Sequence, residues 1–453
     1  MNNKFPILPF GDAFLAMVAL FAGHVLRFGD PSAGANYLFS DGMRLLALVI
    51  ALVFSSFLAE LYSQELHREK KEIFIRIFIG LSVSFVTLSS LYYIFPSLMI
   101  GRGLLLLSLA SFGLFQFSWH VGYKTCLSLP RFARRVLILG TGALANRIGG
   151  ILVSNNHNHV LAGYVTCSGE AVYVPAHHIV GNGDGLVETV RREQAHKIVV
   201  SLSDRRGVSP STDMLACKLS GIEVLDASSF YEQVTGKLFL EDITPSWFIF
   251  SDGFRITPLK KKLKRTCDVI AAAIGLILAS PIVPVLALLI KSDSPGPVFL
   301  RQMRMGEREK PFALYKFRTM RQNAENETGA VWARKHDARI TRTGGFLRKT
   351  RLDEIPQLYN VLKGDMSLIG PRPERPEFVD TLKEAIPYYS ERHFVKPGVT
   401  GWAQISYPYG ASVEDAIEKL RYDLFYIKHM SLFFDLVILL ETIKVVLFGR
   451  GGR

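Results

Sequence analysis

The stretch RKTRLDEIPQLYNVLKGDMSLIGPRPE, residues Arg348–Glu374, carries the most specific pattern in this chain. Two adjacent carboxylates, Asp353 and Glu354, stand near its start among basic residues, and a Pro371-Arg372-Pro373 turn stands near its end. Such acids suit phosphoryl chemistry, because one can attack phosphorus, one can hold a divalent cation and the basic groups offset phosphate charge. The alternative is an exposed helix start, where the helix dipole favours acidic residues.

Five basic side chains in this stretch and in the earlier segment Tyr315–Met320 are suited to bind phosphate: Arg348, Arg351, Arg372, Lys316 and Arg318. Guanidinium and ammonium groups bind phosphate oxygens through charge-assisted hydrogen bonds. Pro371 and Pro373 restrict the backbone around the arginine between them, so little entropy is lost when it binds an oxyanion. Lys316, Arg318 and Arg351 have an equally simple alternative, which is an ion pair with a structural acid.

The composition indicates a membrane-associated protein. Hydrophobic residues make up 49% of the 453 residues, and they are concentrated in a few segments. The net charge of +13 suits anionic lipid and phosphorylated substrates. No sequence pattern of a nucleic-acid-binding protein occurs, so we expect no nucleic-acid partner. The four cysteines form no CxxC pair, which argues against a disulfide scaffold or a zinc site and fits a reducing compartment.

Residues 1–125 contain four apolar segments, each long enough to cross a ~30 Å hydrocarbon core as a helix: Phe10–Phe28, Met43–Leu61, Ile73–Phe95 and Gly103–Gly122. Basic residues cluster between the second and third segments and after the fourth. By the positive-inside rule, both ends of this unit then lie in the cytoplasm. The sequence predicts a four-helix transmembrane domain, and four buried helices of a large soluble domain are the alternative.

Residues 126–255 alternate between strands and helices, which is typical of a Rossmann-like α/β domain with a parallel sheet. The predicted strands are Val136–Gly140, Leu161–Cys167, Lys197–Leu202 and Gly221–Leu225, and the predicted helices are Ala143–Val153 and Val187–Gln194. The first turn, GTGALA at Gly140–Ala145, fits a relaxed dinucleotide-binding motif. No acid follows about 20 residues later at a strand end to hold a ribose. Nucleotide binding and a plain strand-to-helix turn both remain open.

Residues 256–453 form a third predicted domain, mainly α-helical, which opens with an apolar stretch at 266–290. Ser280-Pro281 interrupts this stretch, so we expect the helix to break there. Basic residues flank both sides of it, and a spanning helix would carry the later positive charges and the Asp353-Glu354 pair to the outside. The sequence therefore favours a re-entrant helical hairpin in the inner leaflet over a fifth spanning helix.

From about Lys260 onwards the chain resembles the bacterial sugar transferase family, the monotopic polyprenyl-phosphate glycosyl-1-phosphate transferases. The resemblance rests on the interrupted hairpin, KFRTM at Lys316–Met320, the stretch Leu347–Glu374, KPGVTGWAQI at Lys396–Ile405 and an amphipathic end after Tyr422. The preceding helices and α/β domain resemble long-form members that initiate exopolysaccharide, capsule or O-antigen synthesis. The expected fold is a membrane helix bundle, a Rossmann-like domain and a mainly α monotopic catalytic domain.

The resemblance implies a two-step reaction at the dyad. Asp353 would attack the β-phosphorus of a UDP-sugar and release UMP, and undecaprenyl phosphate would then take up the phosphosugar. Glu354 would hold Mg²⁺, and Arg372 would hold a phosphate of the donor or acceptor. UDP-glucose and UDP-galactose are the usual donors, with N-acetylated sugars also open. The implied location is the bacterial inner membrane, with the catalytic domain facing the cytoplasm in contact with lipid, and the N-terminal additions could mediate a homodimer.

Two other functions fit parts of the sequence. A membrane-anchored, NAD-dependent nucleotide-sugar dehydratase or epimerase would use the glycine-rich turn at Gly140–Ala145 to bind its dinucleotide. A membrane scaffold that recruits polysaccharide machinery would use the helices and the middle domain without catalysis. A nicotinamide bound to the purified protein would distinguish the dehydratase from the transferase.

Overall fold

The computed structural model describes residues 7–59, 61–62, 70–127, 134–154, 159–167, 169–202, 210–243, 245–322, 337, 339–407, 410 and 412–448. The chain divides into two compact units, Met1–Phe230 and Tyr231–Arg453. The first unit contains both the apolar helices and a parallel sheet, and the second contains the Asp353-Glu354 pair. The division into three domains stays a prediction.

The N-terminal part is helical: α1 (Ile7–Phe28), α2 (Pro31–Ser40), α3 (Gly42–Leu58), α4 (Lys70–Ile94) and α5 (Arg102–Leu127). Among the described residues, α1, α4 and α5 are long and apolar enough to cross a membrane. Helix α3, which corresponds to the second predicted span, has 17 residues and falls short of that length. Four spanning helices are therefore not confirmed, although all four predicted apolar segments form helices.

A buried carboxylate joins these helices. Asp12 on α1 is fully buried and accepts hydrogen bonds from the Tyr62 hydroxyl at 2.9 Å and from Gln116 Nε2 on α5 at 2.5 Å. Its other oxygen lies 3.1 Å from Nε2 of His120, also on α5. Since an unpaired carboxylate is costly in an apolar surrounding, these partners fix the packing of α1 against α5.

The α/β part has five parallel strands in the order β3-β2-β1-β4-β5. The strands are β1 (Arg134–Leu139), β2 (His159–Thr166), β3 (Ile179–Asn182), β4 (Lys197–Val200) and β5 (Glu223–Asp226). The helices are α6 (Ala143–Ser154), α7 (Leu186–Arg192), α8 (Ser211–Leu219) and α9 (Ala227–Thr235). The four predicted strands and two predicted helices are confirmed. The short strand β3 was not predicted, because its IVGN sequence resembles a loop.

The turn between β1 and α6 requires glycine at its first position. Gly140 has φ +123°, and a Cβ atom there would lie 2.8 Å from the carbonyl oxygen of Ser201. The next residue, Thr141, donates its backbone N–H to Glu170 Oε2 at 2.8 Å. The glycine-rich sequence therefore serves a tight turn whose N–H group already has a carboxylate partner.

The second unit is mainly helical. Its helices are α10 (Pro245–Phe250), α11 (Pro258–Ala279), α12 (Ile282–Asp293), α13 (Arg342–Thr350), α14 (Gln357–Lys363), α15 (Pro376–Ala385), α16 (Trp402–Ser406), α17 (Val413–Lys428) and α18 (Leu432–Phe448). The strands form an antiparallel pair, β6 (Phe299–Met305) with β7 (Pro311–Phe317), and a parallel pair, β8 (Ser367–Ile369) with β9 (Gly398–Thr400). The hydrophobic core around α15, α17 and α18 includes five buried side chains: Val379, Leu420, Leu424, Tyr426 and Ile438.

The predicted break in the apolar stretch is confirmed. Helices α11 and α12 meet at Ser280-Pro281 with a bend of 63°, a geometry that suits either a broken span or a re-entrant loop. The polar start of α11 is anchored on the rest of the unit. Arg265 donates to the carbonyl oxygens of Val361 and Leu362 on α14, at 2.6 and 2.9 Å. The two helices therefore emerge from the domain in a fixed position.

Candidate active site

The two acids of the dyad lie in a short 3₁₀ turn between α13 and α14. Helix α13 ends at Thr350, and the left-handed backbone of the next residue, Arg351 (φ +59°), reverses the chain direction. The turn Leu352–Glu354 follows immediately, and it leaves both Asp353 and Glu354 only 8% exposed. Burial of two adjacent carboxylates is unfavourable unless cations compensate, so their surroundings determine what the pair can do.

Glu354 is held by two arginines. Its Oε1 accepts hydrogen bonds from Arg372 Nη2 at 3.0 Å and from Arg351 Nη1 at 3.4 Å. Burial raises the pKa of Glu354, but Arg372, Lys316 and Arg351 together outweigh it and hold the pKa below its usual range. The carboxylate is therefore ionised at neutral pH and fixed in position.

Asp353 differs from its neighbour in its contacts and in the direction in which its pKa is shifted. Within the described part of the chain, its carboxylate takes part in no hydrogen bond and no ion pair, although the residue is buried. Burial and then the charge of Glu354 raise the pKa of Asp353, while Lys316, Arg372 and Arg348 oppose that rise. A carboxylate without hydrogen bonds keeps its lone pairs available, which is what a nucleophile requires.

The Pro371-Arg372-Pro373 loop is held in place by hydrogen bonds to its backbone carbonyl oxygens. Gly398 N–H donates to the carbonyl oxygen of Pro371 at 2.9 Å, and Arg304 Nη1 donates to that of Pro373 at 3.1 Å. The loop also packs closely on β9, since a Cβ atom on Gly398 would lie 2.1 Å from the nitrogen of Gly370. Arg372 is thus presented to Glu354 from a rigid backbone, and that carboxylate raises the pKa of the guanidinium.

Lys316 on β7 is brought to the same place. Burial first, and then the charges of Arg372 and Arg304, lower its pKa to about 7, while Glu354 and Asp353 act in the opposite direction. An ammonium group with such a pKa is close to half ionised at neutral pH. The structure therefore places Lys316, Arg351 and Arg372 close to the two acids, and their predicted role in phosphate binding stays a prediction.

Arg318 lies elsewhere. Its guanidinium donates to the carbonyl oxygens of Ser294 and Pro295, which follow α12, at 2.6 and 2.5 Å. These bonds tie the end of β7 to the end of the bent helix pair. They favour a structural role for Arg318, and its predicted role in substrate binding stays a prediction.

Arg392 supports the Pro371-Arg372-Pro373 loop, and no sequence pattern indicates this role. It is 5% exposed and donates hydrogen bonds to the carbonyl oxygen of Arg372 at 2.9 Å and to Asp423 Oδ2 at 2.8 Å. Burial raises the pKa of Asp423 to about 6, although Arg392 acts against that rise. The three residues are far apart in the chain, so no local spacing could have predicted their contact.

Glu354 offers a carboxylate oxygen that would suit a Mg²⁺ ion, a cofactor of many phosphoryl-transfer sites. Among the described residues, no group of three or more His, Cys, Asp or Glu side chains could hold a metal ion alone. Mg²⁺ in phosphoryl-transfer sites takes one or two carboxylates, and waters and substrate phosphates complete its coordination. Both arginine contacts of Glu354 use Oε1, so in the described structure Oε2 keeps its lone pairs available. Glu354 therefore fits the role of a single protein ligand.

Sequence comparison relates this unit to known enzymes. Residues 259–449 match the family model described as bacterial sugar transferase. An N-acetylgalactosaminephosphotransferase of Aeromonas hydrophila that acts on UDP-N-acetylgalactosamine and undecaprenyl phosphate is 43% identical over 237 residues, which are 52% of this chain and 55% of the relative. The Escherichia coli K12 UDP-glucose:undecaprenyl-phosphate glucose-1-phosphate transferase is 43% identical over 194 residues, which are 41% of each chain.

A third relative is matched over most of its length. The putative undecaprenyl-phosphate N-acetylgalactosaminyl 1-phosphate transferase of Bacillus subtilis is 52% identical over 130 residues, which are 29% of this chain and 72% of the relative. The chain therefore belongs to the bacterial sugar transferase family. The matched segments span about half of the Aeromonas and Escherichia relatives.

The dehydratase alternative is not favoured. The family model covers residues 259–449, which do not include the glycine-rich turn. In dinucleotide-binding domains, N–H groups of this turn bind phosphate. Here the N–H of Thr141 donates to the Glu170 carboxylate at 2.8 Å, and a negative charge at that place repels a pyrophosphate.

Proposed function

We propose that the protein transfers a sugar 1-phosphate from a UDP-sugar to undecaprenyl phosphate and releases UMP. The reactions of the related enzymes support this proposal. The main structural support is the difference between the two acids of the dyad. Two adjacent acids are buried together, but arginines hold Glu354 while Asp353 keeps its lone pairs available. This difference suits a division of labour between one carboxylate that positions and one that attacks.

In the first step, an oxygen of Asp353 attacks the β-phosphorus of the UDP-sugar. The bond from that phosphorus to the bridging oxygen breaks, the bridging oxygen leaves with UMP, and the phosphosugar remains on Asp353 as an acyl phosphate. In the second step, a phosphate oxygen of undecaprenyl phosphate attacks the same phosphorus. The carboxylate then leaves, which regenerates the enzyme and gives undecaprenyl-diphosphate-sugar.

The cations around the dyad offset the charge of these phosphates. Arg372, presented by Pro371 and Pro373, binds a phosphate of the donor or acceptor, and Arg351 and Lys316 supply further positive charge. Fixed donors of this kind lower the barrier because they require little reorganisation as charge moves to the leaving group.

Glu354 is the proposed protein ligand of Mg²⁺. When bound, the ion supplies positive charge to the donor diphosphate. Arg372 and Arg351 keep the Glu354 carboxylate oriented through Oε1, at 3.0 and 3.4 Å. Replacing Glu354 with Gln removes a charge that a divalent cation requires but preserves the shape of the side chain.

The finer architecture is proposed on the same basis. The 63° bend between α11 and α12, with exposed Ile277, Leu278 and Leu288, supports a re-entrant hairpin in the inner leaflet. The strand order β3-β2-β1-β4-β5 supports a Rossmann-like middle domain. We further propose four membrane helices, an inner-membrane location with the catalytic domain facing the cytoplasm, contact with membrane lipid, and a homodimer.

UMP release from a panel of UDP-sugars tests the function. The full chain in lipid nanodiscs is incubated with Mg²⁺ and UDP-glucose, UDP-galactose or their N-acetylated forms, with and without undecaprenyl phosphate. The proposal predicts lipid-dependent turnover with one donor and its loss on removal of Mg²⁺. No UMP from any donor, in protein with native circular dichroism, would exclude the proposed reaction for this panel and redirect attention to a scaffold role.

A further inference from the structure

A second feature adjoins the dyad on the side of the C-terminal helix. A cavity of about 260 Å³ lies among α14, β8, β9, α16 and α18. Arg351 and Glu354 form its charged part, and most of its remaining lining is apolar, with Leu358, Val399 and Leu439 among the contributors. The cavity is thus continuous with the catalytic residues but differs from them in chemistry.

The polar groups in the apolar part are few. The hydroxyls of Thr400 and Thr442 lie 2.8 Å apart and bond to each other, and Thr442 also donates to the carbonyl oxygen of Ile438 at 2.7 Å. Gln404 is the exception. Its Nε2 atom is buried and finds no hydrogen-bond partner in the structure as described, although the residue lines the cavity.

This lining selects against a sugar or a uracil ring. Such groups carry several donors and acceptors, and each one that is buried without a partner is costly. The apolar lining would leave most of them unpaired. A hydrocarbon chain that ends in an anion fits instead, because the chain suits the leucine and valine side chains and the anion suits Arg351.

We propose that this cavity binds the phosphate-proximal isoprenoid segment of the polyprenyl phosphate acceptor and so directs its phosphate to Asp353. The proposal rests on the function proposed above. The volume is slightly below that of pockets that enclose whole drug-sized ligands, about 300–1,000 Å³. The cavity therefore takes the first part of the chain, and the rest extends along the exposed apolar side chains of α18 into lipid.

Two matched variants on α18 test this binding site. Leu439 lines the cavity and is 38% exposed, whereas Leu436 on the same helix is 50% exposed and does not line it. Leu439→Trp places a larger side chain in the cavity, and because Leu439 is partly exposed the change does not overpack the hydrophobic core. Leu436→Trp makes the same chemical change outside the cavity. For Leu439→Trp we expect the KM for undecaprenyl phosphate to rise about tenfold, which corresponds to about 1.4 kcal/mol. For Leu436→Trp we expect no change.

The donor half-reaction separates acceptor binding from damage to the catalytic residues. Without acceptor, one equivalent of UMP should still be released by Leu439→Trp at the parent rate. Equal acceptor KM values for the two tryptophan variants would overturn the proposal. So would a parallel loss of the UMP burst and of acceptor turnover in Leu439→Trp, because the substitution would then act on the dyad itself.

Photolabelling of the unsubstituted chain tests the same site without relying on the folding of a variant. A diazirine-bearing farnesyl phosphate should label peptides of β9, α16 and α18, and excess undecaprenyl phosphate should prevent this labelling. Equal protection by phosphatidylglycerol would show a general lipid site and overturn the proposal. If the parent chain releases no UMP, the proposed function fails, whereas active parent chain without labelling contradicts only the acceptor site.

Discussion

The guanidinium of Arg392 donates a 2.9 Å hydrogen bond to the backbone carbonyl oxygen of Arg372. Arg392 is buried, and its second partner is the buried carboxylate of Asp423 at 2.8 Å. The position of the phosphate-binding arginine therefore depends on an ion pair that itself contacts neither dyad acid. Arg392 and Asp423 are positioning residues for the Pro371-Arg372-Pro373 loop.

Asp423→Asn should lower both stability and donor binding. The substitution leaves the Arg392 guanidinium buried without its counter-charge, for which a loss of about 3–5 kcal/mol is typical. We expect a lower unfolding temperature and a higher KM for the UDP-sugar, with a smaller change in kcat. Asp380→Asn, at an exposed position of α15, is the matched control. Normal KM in a destabilised Asp423→Asn variant would show that the ion pair supports the fold without positioning Arg372.

Lys316→Arg should change the pH dependence of donor use. Because the pKa of Lys316 is lowered to about 7, the residue loses its positive charge as the pH rises through that value. The parent kcat/KM for the UDP-sugar, which reports on the free enzyme, should therefore fall above about pH 7. Arginine stays charged throughout this range, so the variant should keep its activity up to pH 9. Identical alkaline limbs for the two proteins would contradict the role of Lys316.

His393 should make the second unit sensitive to acid. It is 7% exposed, and burial together with Arg392 lowers its pKa from 6.5 to about 4. The unfolded chain gains a proton below pH 6.5 that the folded chain does not accept until about pH 4. Stability is therefore lost as the pH falls, by about 2 kcal/mol at pH 5.

Denaturant titrations of the full chain in detergent at pH 7.5 and pH 5 measure this effect. The His393→Gln variant should lose about 2 kcal/mol less than the parent between the two pH values, since glutamine does not titrate. Subtraction of the two losses removes the contribution of other acidic groups. An equal loss in both proteins would show that His393 is protonated in the folded chain.

Arg318→Lys should affect stability and leave donor binding unchanged. Lysine cannot reproduce the two hydrogen bonds from the guanidinium to Ser294 and Pro295 carbonyl oxygens, so a loss of about 1–3 kcal/mol is expected. Arg301→Lys on the exposed part of β6 is the control. A raised KM for the UDP-sugar at unchanged unfolding temperature would instead support the substrate-binding role that the sequence suggested.

Local patterns predicted the parts of the site that are close together in the chain. Acidic residues identify the dyad by their charge. Proline identifies the Pro371-Arg372-Pro373 loop and the Ser280-Pro281 break, because it restricts the backbone. Four strands of the α/β part can be predicted because each is a short apolar run that ends at a turn. These features needed no knowledge of tertiary contacts.

Contacts between distant segments could not be predicted in this way. Arg392 and Asp423 each look like an ordinary surface residue in sequence, and only packing of α17 against the Tyr389–Phe394 turn buries them together. The Asp12 network in the N-terminal helices is of the same kind, since its partner Gln116 lies 104 residues further on. The cavity beside Arg351 also depends on where α18 packs, which hydrophobic periodicity alone does not determine.

Trapping the phosphosugar on the protein tests the proposed mechanism most directly. The full chain is incubated with Mg²⁺ and a UDP-sugar labelled at the β-phosphorus, without acceptor, and is then digested for mass spectrometry. The label should appear on the peptide that contains Asp353, disappear when undecaprenyl phosphate is added, and be absent from Asp353→Asn, whose turnover should fall at least about a thousandfold. Turnover by the parent without any labelled Asp353, or parent-level turnover by Asp353→Asn, would contradict a covalent intermediate at this residue.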